Sequence, residues 1–250
     1  MAPGGIGPGR VSDLGGRRDG DSSHGSASSS RIVRTSSSEH IALYIRRLIF
    51  EGTLRPGMRV PQDAIANDLG VSRIPVREAL IILEREGWVT IEMHRGAFIN
   101  ALDERAVVDH YELFGLIYGF AAQRALARSK EDLVGNLKLI LEEFRKASDP
   151  EDMQRLSIAF HGEIVDSAAS PRINVALRAM SALVPGNFFA AVPAAVDIER
   201  KGLAAIVRAM KRGDGSRAAE EYGKMMRRVG ERVAQLFKER GLFEAEAVIA

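Results

Sequence analysis

The sequence predicts a mainly α protein, with an N-terminal winged helix-turn-helix followed by an all-α antiparallel bundle of six to seven helices. Three observations predict this fold class. A helix-turn-helix pattern is centred on Gly70 and Ser72. Two alternating segments with the pattern of paired β-strands follow at 88–92 and 97–100. From Asp103 onward the long segments all have helical periodicity.

Composition limits the classes of protein that the chain can belong to. Its 250 residues are 46% hydrophobic, enough for one large or two modest domains. It has no cysteine, which excludes disulfides and thiolate metal sites and suits the cytoplasm, where we expect the protein. No apolar run approaches the roughly 20 residues that span a bilayer, so we expect no contact with membranes. Because the net charge is only +2, nucleic-acid affinity would depend on locally placed arginines.

Four segments are expected from the change in composition along the chain. Residues 1–35 are rich in Gly, Ser, Arg and Asp and bury too little apolar surface to fold, so they should form a disordered tail. Residues 36–101 should form the winged helix-turn-helix and residues 103–240 the helical domain. Residues 241–250 should form a C-terminal tail.

The N-terminal domain should contain three helices, at 36–51, 61–69 and 72–86. Gly70 lies where a helix can end in the left-handed conformation, and Ser72 occupies the N-cap position of the third helix. Pro75 falls in that helix's first turn, where a missing N–H is tolerated. Arg73 and Arg77 are four residues apart and stack beside the buried face.

Two arginines near the N-terminal end of this helix suit binding in a DNA major groove, because guanidinium groups can reach phosphates and the O6/N7 edge of guanine. The alternative is a surface helix with two solvated arginines. The tip of the predicted hairpin, His94, Arg95 and Gly96, can enter a minor groove or lie along phosphates. Its alternative is an ordinary polar hairpin tip.

The segment 41–100 carries several motifs in a specific order, namely Leu54-Arg55-Pro56-Gly57, Leu69-Gly70-Val71-Ser72-Arg73, Pro75-Val76-Arg77-Glu78-Ala79-Leu80, Glu86-Gly87 and Arg95-Gly96-Ala97-Phe98. With them it resembles the DNA-binding domain of the GntR family of bacterial transcription regulators. The resemblance implies DNA contacts by Ser72, Arg73, Arg77 and the tip His94–Gly96. Where the family often has an arginine on the second helix, this chain has Asp63. Since a carboxylate is repelled by phosphate, we expect that contact to be absent or replaced by Gln62.

The second half should contain helices at 103–129, 131–147, 150–169, 172–183, 193–212 and 216–240. It resembles the FCD-type effector-binding domain that accompanies many GntR winged helices, on the motifs Tyr111-Glu112-Leu113, Ala159-Phe160-His161, Ile206-Val207-Arg208-Ala209-Met210 and Gly213-Asp214. Many such domains hold a divalent metal between one aspartate and three histidines. The matching positions here are Ser157, His161, Leu203 and Met225. These supply too few ligands, so we predict no metal and no cofactor.

A family arginine and glutamate that face the cavity correspond here to Phe114 and Tyr118. Loss of the arginine removes a clamp for carboxylates. We therefore predict a cavity for a small apolar or aromatic effector, lined by Phe114, Tyr118, Ser157, His161, Leu203 and Met225. His161 is either a polar anchor for that ligand or a hydrogen-bonded core histidine. The alternative is that all six residues only pack the bundle.

These features predict a ligand-responsive, sequence-specific transcription regulator, in particular a homodimeric repressor that a small effector releases from a short palindromic operator in double-stranded DNA. No nucleophile elbow, phosphate loop or His-Glu-x-x-His motif is present, so we expect no enzyme. Two alternatives remain: a DNA-binding protein without small-molecule control, and a metal- or carboxylate-sensing regulator of the same family.

Overall fold

The computed structural model describes residues 37–128, 132–180 and 183–243, which contain ten helices and one two-stranded sheet. This confirms the predicted fold class. The predicted N-terminal tail and residues 244–250 of the predicted C-terminal tail lie outside the described residues. The elements are α1 (Ser37–Phe50), α2 (Gln62–Asp68), α3 (Arg73–Arg85), β1 (Val89–Glu92), β2 (Gly96–Ile99), α4 (Glu104–Arg128), α5 (Leu133–Lys146), α6 (Pro150–Ser167), α7 (Pro171–Ala179), α8 (Phe188–Ala191), α9 (Ala195–Lys211) and α10 (Gly215–Glu239).

The N-terminal domain packs α1, α2 and α3 against the two-stranded wing. The strands are antiparallel, with Val89 opposite Ile99 and Glu92 opposite Gly96. The apolar stripes that define the helices in the sequence form the core, and Trp88 at the start of the wing is only 2% exposed. Buried members of this core also include Ile45, Ile49, Ile65, Val76, Leu80 and Leu83.

The turn between α2 and α3 has the predicted geometry. Gly70 has a φ of +63°, a left-handed conformation that glycine adopts without steric cost. Ser72 occupies the N-cap position of α3 in extended conformation, but its side chain makes no capping hydrogen bond. The expectation that the Ser72 hydroxyl caps the helix is therefore wrong, and that hydroxyl is exposed at the surface.

A buried ion pair joins α1 to the end of α3. Arg46 is 7% exposed. Its Nε donates to Oε2 of Glu86 at 3.0 Å and its Nη2 donates to Oε1 at 2.9 Å, a bidentate arrangement. The pair fixes the C-terminal end of α3 against α1.

Helices α4 to α10 form the C-terminal bundle, in which α4 and α10 pack along most of their lengths. Close approach depends on small residues: a Cβ atom added to Gly119 would lie 3.1 Å from Cα of Ala219. The described residues include seven bundle helices, one of them the four-residue α8 between the predicted helices 172–183 and 193–212. Helix α7 ends at Ala179, earlier than the predicted 183. None of the described helices could cross a bilayer.

The C-terminal end of α10 contacts the DNA-binding domain. Nη1 of Arg240 donates to the backbone oxygen of Phe50 at 2.9 Å, and its guanidinium carbon lies 3.8 Å from the Phe50 ring centroid. The rings of Phe50 and Phe237 meet edge to face at 5.8 Å. In addition, Leu102 N donates to Leu242 O at 3.1 Å. One helix therefore runs from the bundle core to α1.

Candidate DNA-binding surface and effector cavity

A groove of about 840 Å³ lies between α2, α3 and the wing. Its walls bring together five predicted DNA-binding residues, namely Gln62, Arg73, Arg77, His94 and Gly96. When a winged helix binds a duplex, its recognition helix, here α3, and its wing contact neighbouring grooves of the DNA. The surface groove of this protein lies between these two elements.

Arg73 forms an ion pair with Asp63 that the sequence did not predict. Its Nε lies 2.5 Å from Oδ1 of Asp63, and both side chains remain more than 60% exposed. Asp63, at the position where the family often has an arginine, thus contacts Arg73. Because Asp63 engages Nε, the two terminal nitrogens of Arg73 remain available for a bidentate contact with guanine.

Two further predicted residues flank the groove but do not line it. Ser72 is exposed beside it, with a hydroxyl that is free to contact phosphate. Arg95 lies at the wing tip, where it pairs with Glu92 and its guanidinium carbon is 5.4 Å from the Phe98 ring centroid. His94 at the same tip has a φ of +62°, which is unusual for a residue other than glycine.

Two other candidate DNA-binding residues were missed by the sequence analysis. Arg59 lies against the wing, so closely that a Cβ atom on Gly96 would be 2.8 Å from its Nε. The sequence analysis missed Arg59 because it lies before α2, outside the helical and strand periodicities that were used to find candidate residues. Ile74 follows Arg73 and is 69% exposed, an apolar side chain on the outer face of α3 that could contact a thymine methyl. Because Ile74 does not belong to the apolar stripe that α3 buries, its exposure could have been inferred from the sequence.

A second cavity, of about 470 Å³ and partly open to solvent, lies between the helices of the C-terminal bundle. Four of the six predicted effector-binding residues line it: Phe114, Tyr118, Ser157 and His161. Much of the remaining wall is apolar and includes Ile158, Leu177, Leu183, Val184, Phe188, Phe189, Met226 and Val229.

Leu203 and Met225 are buried but are not part of the cavity wall, so the expectation that they line it is corrected. A Cβ atom on Gly202 would overlap Sδ of Met225, which shows that Met225 fills the contact between α9 and α10. Glu199, four residues before Leu203, and Met226 line the cavity instead. The sequence analysis therefore chose the wrong positions on these two helices: the cavity residue on α9 lies one turn before Leu203, and the one on α10 follows Met225.

A chain of hydrogen bonds connects α6, α9 and α10 at this wall. Ser157 Oγ donates to Oε1 of Glu199 at 2.8 Å, and Nε2 of His161 lies 3.1 Å from the same oxygen. Nδ1 of His161 lies 3.1 Å from the Tyr222 hydroxyl. With a proton on Nε2 and none on Nδ1, His161 donates to Glu199 and accepts from the Tyr222 hydroxyl, so that each donor of the chain has an acceptor.

The phenol groups beside this chain are neutral at ordinary pH. Burial, together with a smaller contribution from the negative charge of Glu199, raises the pKa of Tyr118 to about 12. Burial likewise raises the pKa of Tyr222 well above its ordinary value, with smaller contributions from Tyr118 and Glu199. The rings of Tyr118 and Tyr222 stack with centroids 5.6 Å apart.

These residues do not fit the metal site that FCD-type domains often contain. One imidazole, one carboxylate and two hydroxyl groups are hydrogen-bonded to each other, and neutral hydroxyl groups are weak metal ligands, so the set has fewer strong ligands than such a site needs. Within the described part of the chain, no group of three or more His, Cys, Asp or Glu side chains is arranged to hold a metal ion.

A winged helix with an arginine-lined groove, joined to an all-helical domain with an internal cavity, defines a DNA-binding transcription regulator. Residues 37–99 match the profile of the bacterial regulatory proteins of the gntR family, and residues 109–229 match the FCD domain. The chain belongs to the GntR family, as the sequence motifs predicted. Both matched domains are those of regulators and not of enzymes.

Among curated proteins, the chain is 34% identical over 151 residues to an uncharacterised helix-turn-helix regulator of Mycobacterium tuberculosis, covering 60% of this chain and 62% of that protein. It is 31% identical over 137 residues to the gluconate operon transcriptional repressor of Bacillus subtilis, covering 54% and 56%. The matches thus span less than two thirds of these relatives. In structure it is similar to E. coli McbR/YncC, with a TM-score of 0.57 at 18% identity over 82% of this chain and 99% of the other. This likeness concerns the fold.

Proposed function

We propose that the protein is a ligand-responsive, sequence-specific repressor that a small apolar or aromatic effector releases from a palindromic DNA operator. The observation that carries this proposal is that Arg73 and Arg77 share one exposed groove with the wing. The repressor named for the gluconate operon in B. subtilis supports the direction of control.

The DNA-binding roles follow from exposure and chemistry. Arg73 and Arg77 enter the major groove and contact bases and phosphates, while Ser72 and Gln62 contact the backbone near the start of each helix. His94, Arg95 and Gly96 bring the wing to the adjacent backbone or minor groove.

Sequence-specific binding is tested by selecting duplexes from a randomised library with the full-length protein. We expect enrichment of one short two-fold symmetric sequence, and no enrichment with the double variant Arg73→Ala/Arg77→Ala. Enrichment of all duplexes alike, or the same enriched sequence with the double variant, would contradict the proposed recognition helix.

Helix α10 provides a route from the cavity to the DNA-binding domain. Met226 and Val229 line the cavity, and three turns later Phe237 and Arg240 pack on Phe50 of α1. A ligand that binds better to one position of α10 would shift the DNA-binding domains between two arrangements, by as much as its affinities for them differ.

We expect Arg240→Ala to weaken this connection, because it removes a hydrogen bond and a cation–π contact worth together about 1–3 kcal/mol. In calorimetry the variant should show separate melting of the two domains where the parent protein shows one transition. The matched control Lys238→Ala changes an exposed neighbour on α10 and should leave the melting profile unchanged. One unchanged transition in Arg240→Ala would contradict the proposed route.

The proposed homodimer forms through an apolar stripe on α4. Leu113, Leu116 and Phe120 recur at helical spacing and are 52%, 68% and 46% exposed. An exposed apolar stripe of this kind is suited to a second copy of the chain, and a two-fold axis would present two recognition helices to a palindrome.

Leu116→Glu should convert the dimer into a monomer, because two carboxylates would be buried at a symmetric interface. Sedimentation velocity measures the change. The control Leu139→Glu alters a leucine on α5 that is similarly exposed, at 65%, and should leave the dimer intact. A dimer in both variants would place the interface elsewhere.

A further inference from the structure

Glu199 is a buried carboxylate whose second oxygen has no protein partner among the described residues. The residue is 4% exposed and lines the effector cavity. Ser157 and His161 both contact Oε1, which leaves Oε2 without a hydrogen bond within the described part of the chain. This oxygen is therefore available to accept a hydrogen bond from a ligand in the cavity.

No lysine or arginine of the described cavity wall pairs with the Glu199 carboxylate. The basic side chain that contacts it is the imidazole of His161, whose Nε2 lies 3.1 Å from Oε1. The described residues of the wall include no lysine and no arginine, and they include a second carboxylate, that of the exposed Asp166. The described wall thus offers two carboxylates and no lysine or arginine, in largely apolar surroundings.

Aromatic rings surround the same space. Phe114 and Tyr118 stack with ring centroids 6.0 Å apart, and Phe188 and Phe189 form part of the wall. Aromatic faces attract cations, and they attract them more strongly when water is excluded. The volume of about 470 Å³ suits a molecule with one or two rings.

We propose that the effector of this cavity is an organic cation, in which a protonated amine on an apolar or aromatic body donates to Oε2 of Glu199. This inference rests on the proposed function and adds the charge of the ligand to it. Effectors that carry only a carboxylate are disfavoured, because the described wall offers no lysine or arginine to pair with them and Glu199 would repel them.

The test compares ligands that share a body and differ in head group. Isothermal titration of the full-length protein at pH 7 uses 2-phenylethylamine, 2-phenylethanol and 3-phenylpropionate, and then tryptamine, tryptophol and indole-3-propionate. We expect the amines to bind, the alcohols to bind more weakly and the carboxylates not to bind. This ranking is measured on the parent protein and does not depend on the folding of any variant.

The Glu199→Gln variant tests the assigned partner, because it keeps the shape and removes the charge. Amine affinity should fall by at least about tenfold while alcohol affinity changes little. The control Asp197→Asn removes the same charge from an exposed position on α9, where Asp197 pairs with Arg200, and should leave amine affinity unchanged. Equal amine affinity in Glu199→Gln would overturn the assignment.

The other outcomes separate this inference from the proposed function. Carboxylates that bind as tightly as amines would overturn the cation class while an effector-binding cavity remains. Binding by no probe in either series would overturn both. Stabilisation of the protein by zinc alone, abolished in His161→Ala, would also overturn the inference and identify a metal site.

Discussion

Replacing Glu86 by alanine is expected to lower the free energy of unfolding of the DNA-binding domain by about 3–5 kcal/mol. The reason is that Arg46, only 7% exposed, would keep its charge in the core and lose its bidentate partner. An unpaired buried guanidinium cannot neutralise itself, because arginine stays protonated at any pH that the protein survives. Denaturant unfolding followed by the fluorescence of Trp88, which lies in this domain, measures the loss.

Two comparisons sharpen this prediction. Glu51→Ala removes a carboxylate that pairs with Arg47 at 3.9 Å between two half-exposed side chains, and it should cost less than about 1 kcal/mol. The double variant Arg46→Met/Glu86→Leu should recover much of the stability, because it removes both charges from the core. A loss below 1 kcal/mol in Glu86→Ala would mean that the ion pair is solvated.

Replacing Arg73 by alanine is expected to weaken binding to the selected operator by about 1–3 kcal/mol and to relax base preference at one position of each half-site. The side chain is exposed, and its ion pair with Asp63 is made through Nε. The two terminal nitrogens of Arg73 are therefore outside this contact. Fluorescence anisotropy on the selected duplex and on single-base variants measures both effects.

Arg95→Ala is the matched comparison, because it also removes one exposed cation from the DNA-binding surface. A wing arginine that contacts phosphate should contribute equally at all sequences, and its loss should reduce the salt dependence of binding by about one ion. If Arg73→Ala weakened binding to every duplex by the same factor, its role in base recognition would be wrong.

Local patterns were sufficient to predict the DNA-binding domain. Helix ends, the left-handed Gly70 and the position of Ser72 depend on neighbouring residues, and the alternation of strands and the helical stripes are similarly local. The ion pair between Arg46 and Glu86 could not be predicted in this way, because 40 residues separate its members. The contact between Arg73 and Asp63 crosses a turn and likewise depends on tertiary placement.

The cavity was predicted less completely, because long helices tolerate errors in register. Phe114, Tyr118, Ser157 and His161 lie on its wall as expected, whereas Leu203 and Met225 pack elsewhere. A displacement of one turn along α9 exchanges an apolar residue for Glu199, and this exchange changes the charge of the site. The sequence alone supported an apolar effector, whereas the three-dimensional arrangement adds a buried carboxylate.

The most direct measurement of the central claim is the affinity of the full-length protein for its selected duplex relative to a scrambled duplex of the same composition at physiological salt. A sequence-specific regulator should prefer the selected duplex by a factor of about 10³ or more. Equal affinity for the two duplexes would contradict the account, because the groove between α3 and the wing would then bind DNA only through its charge.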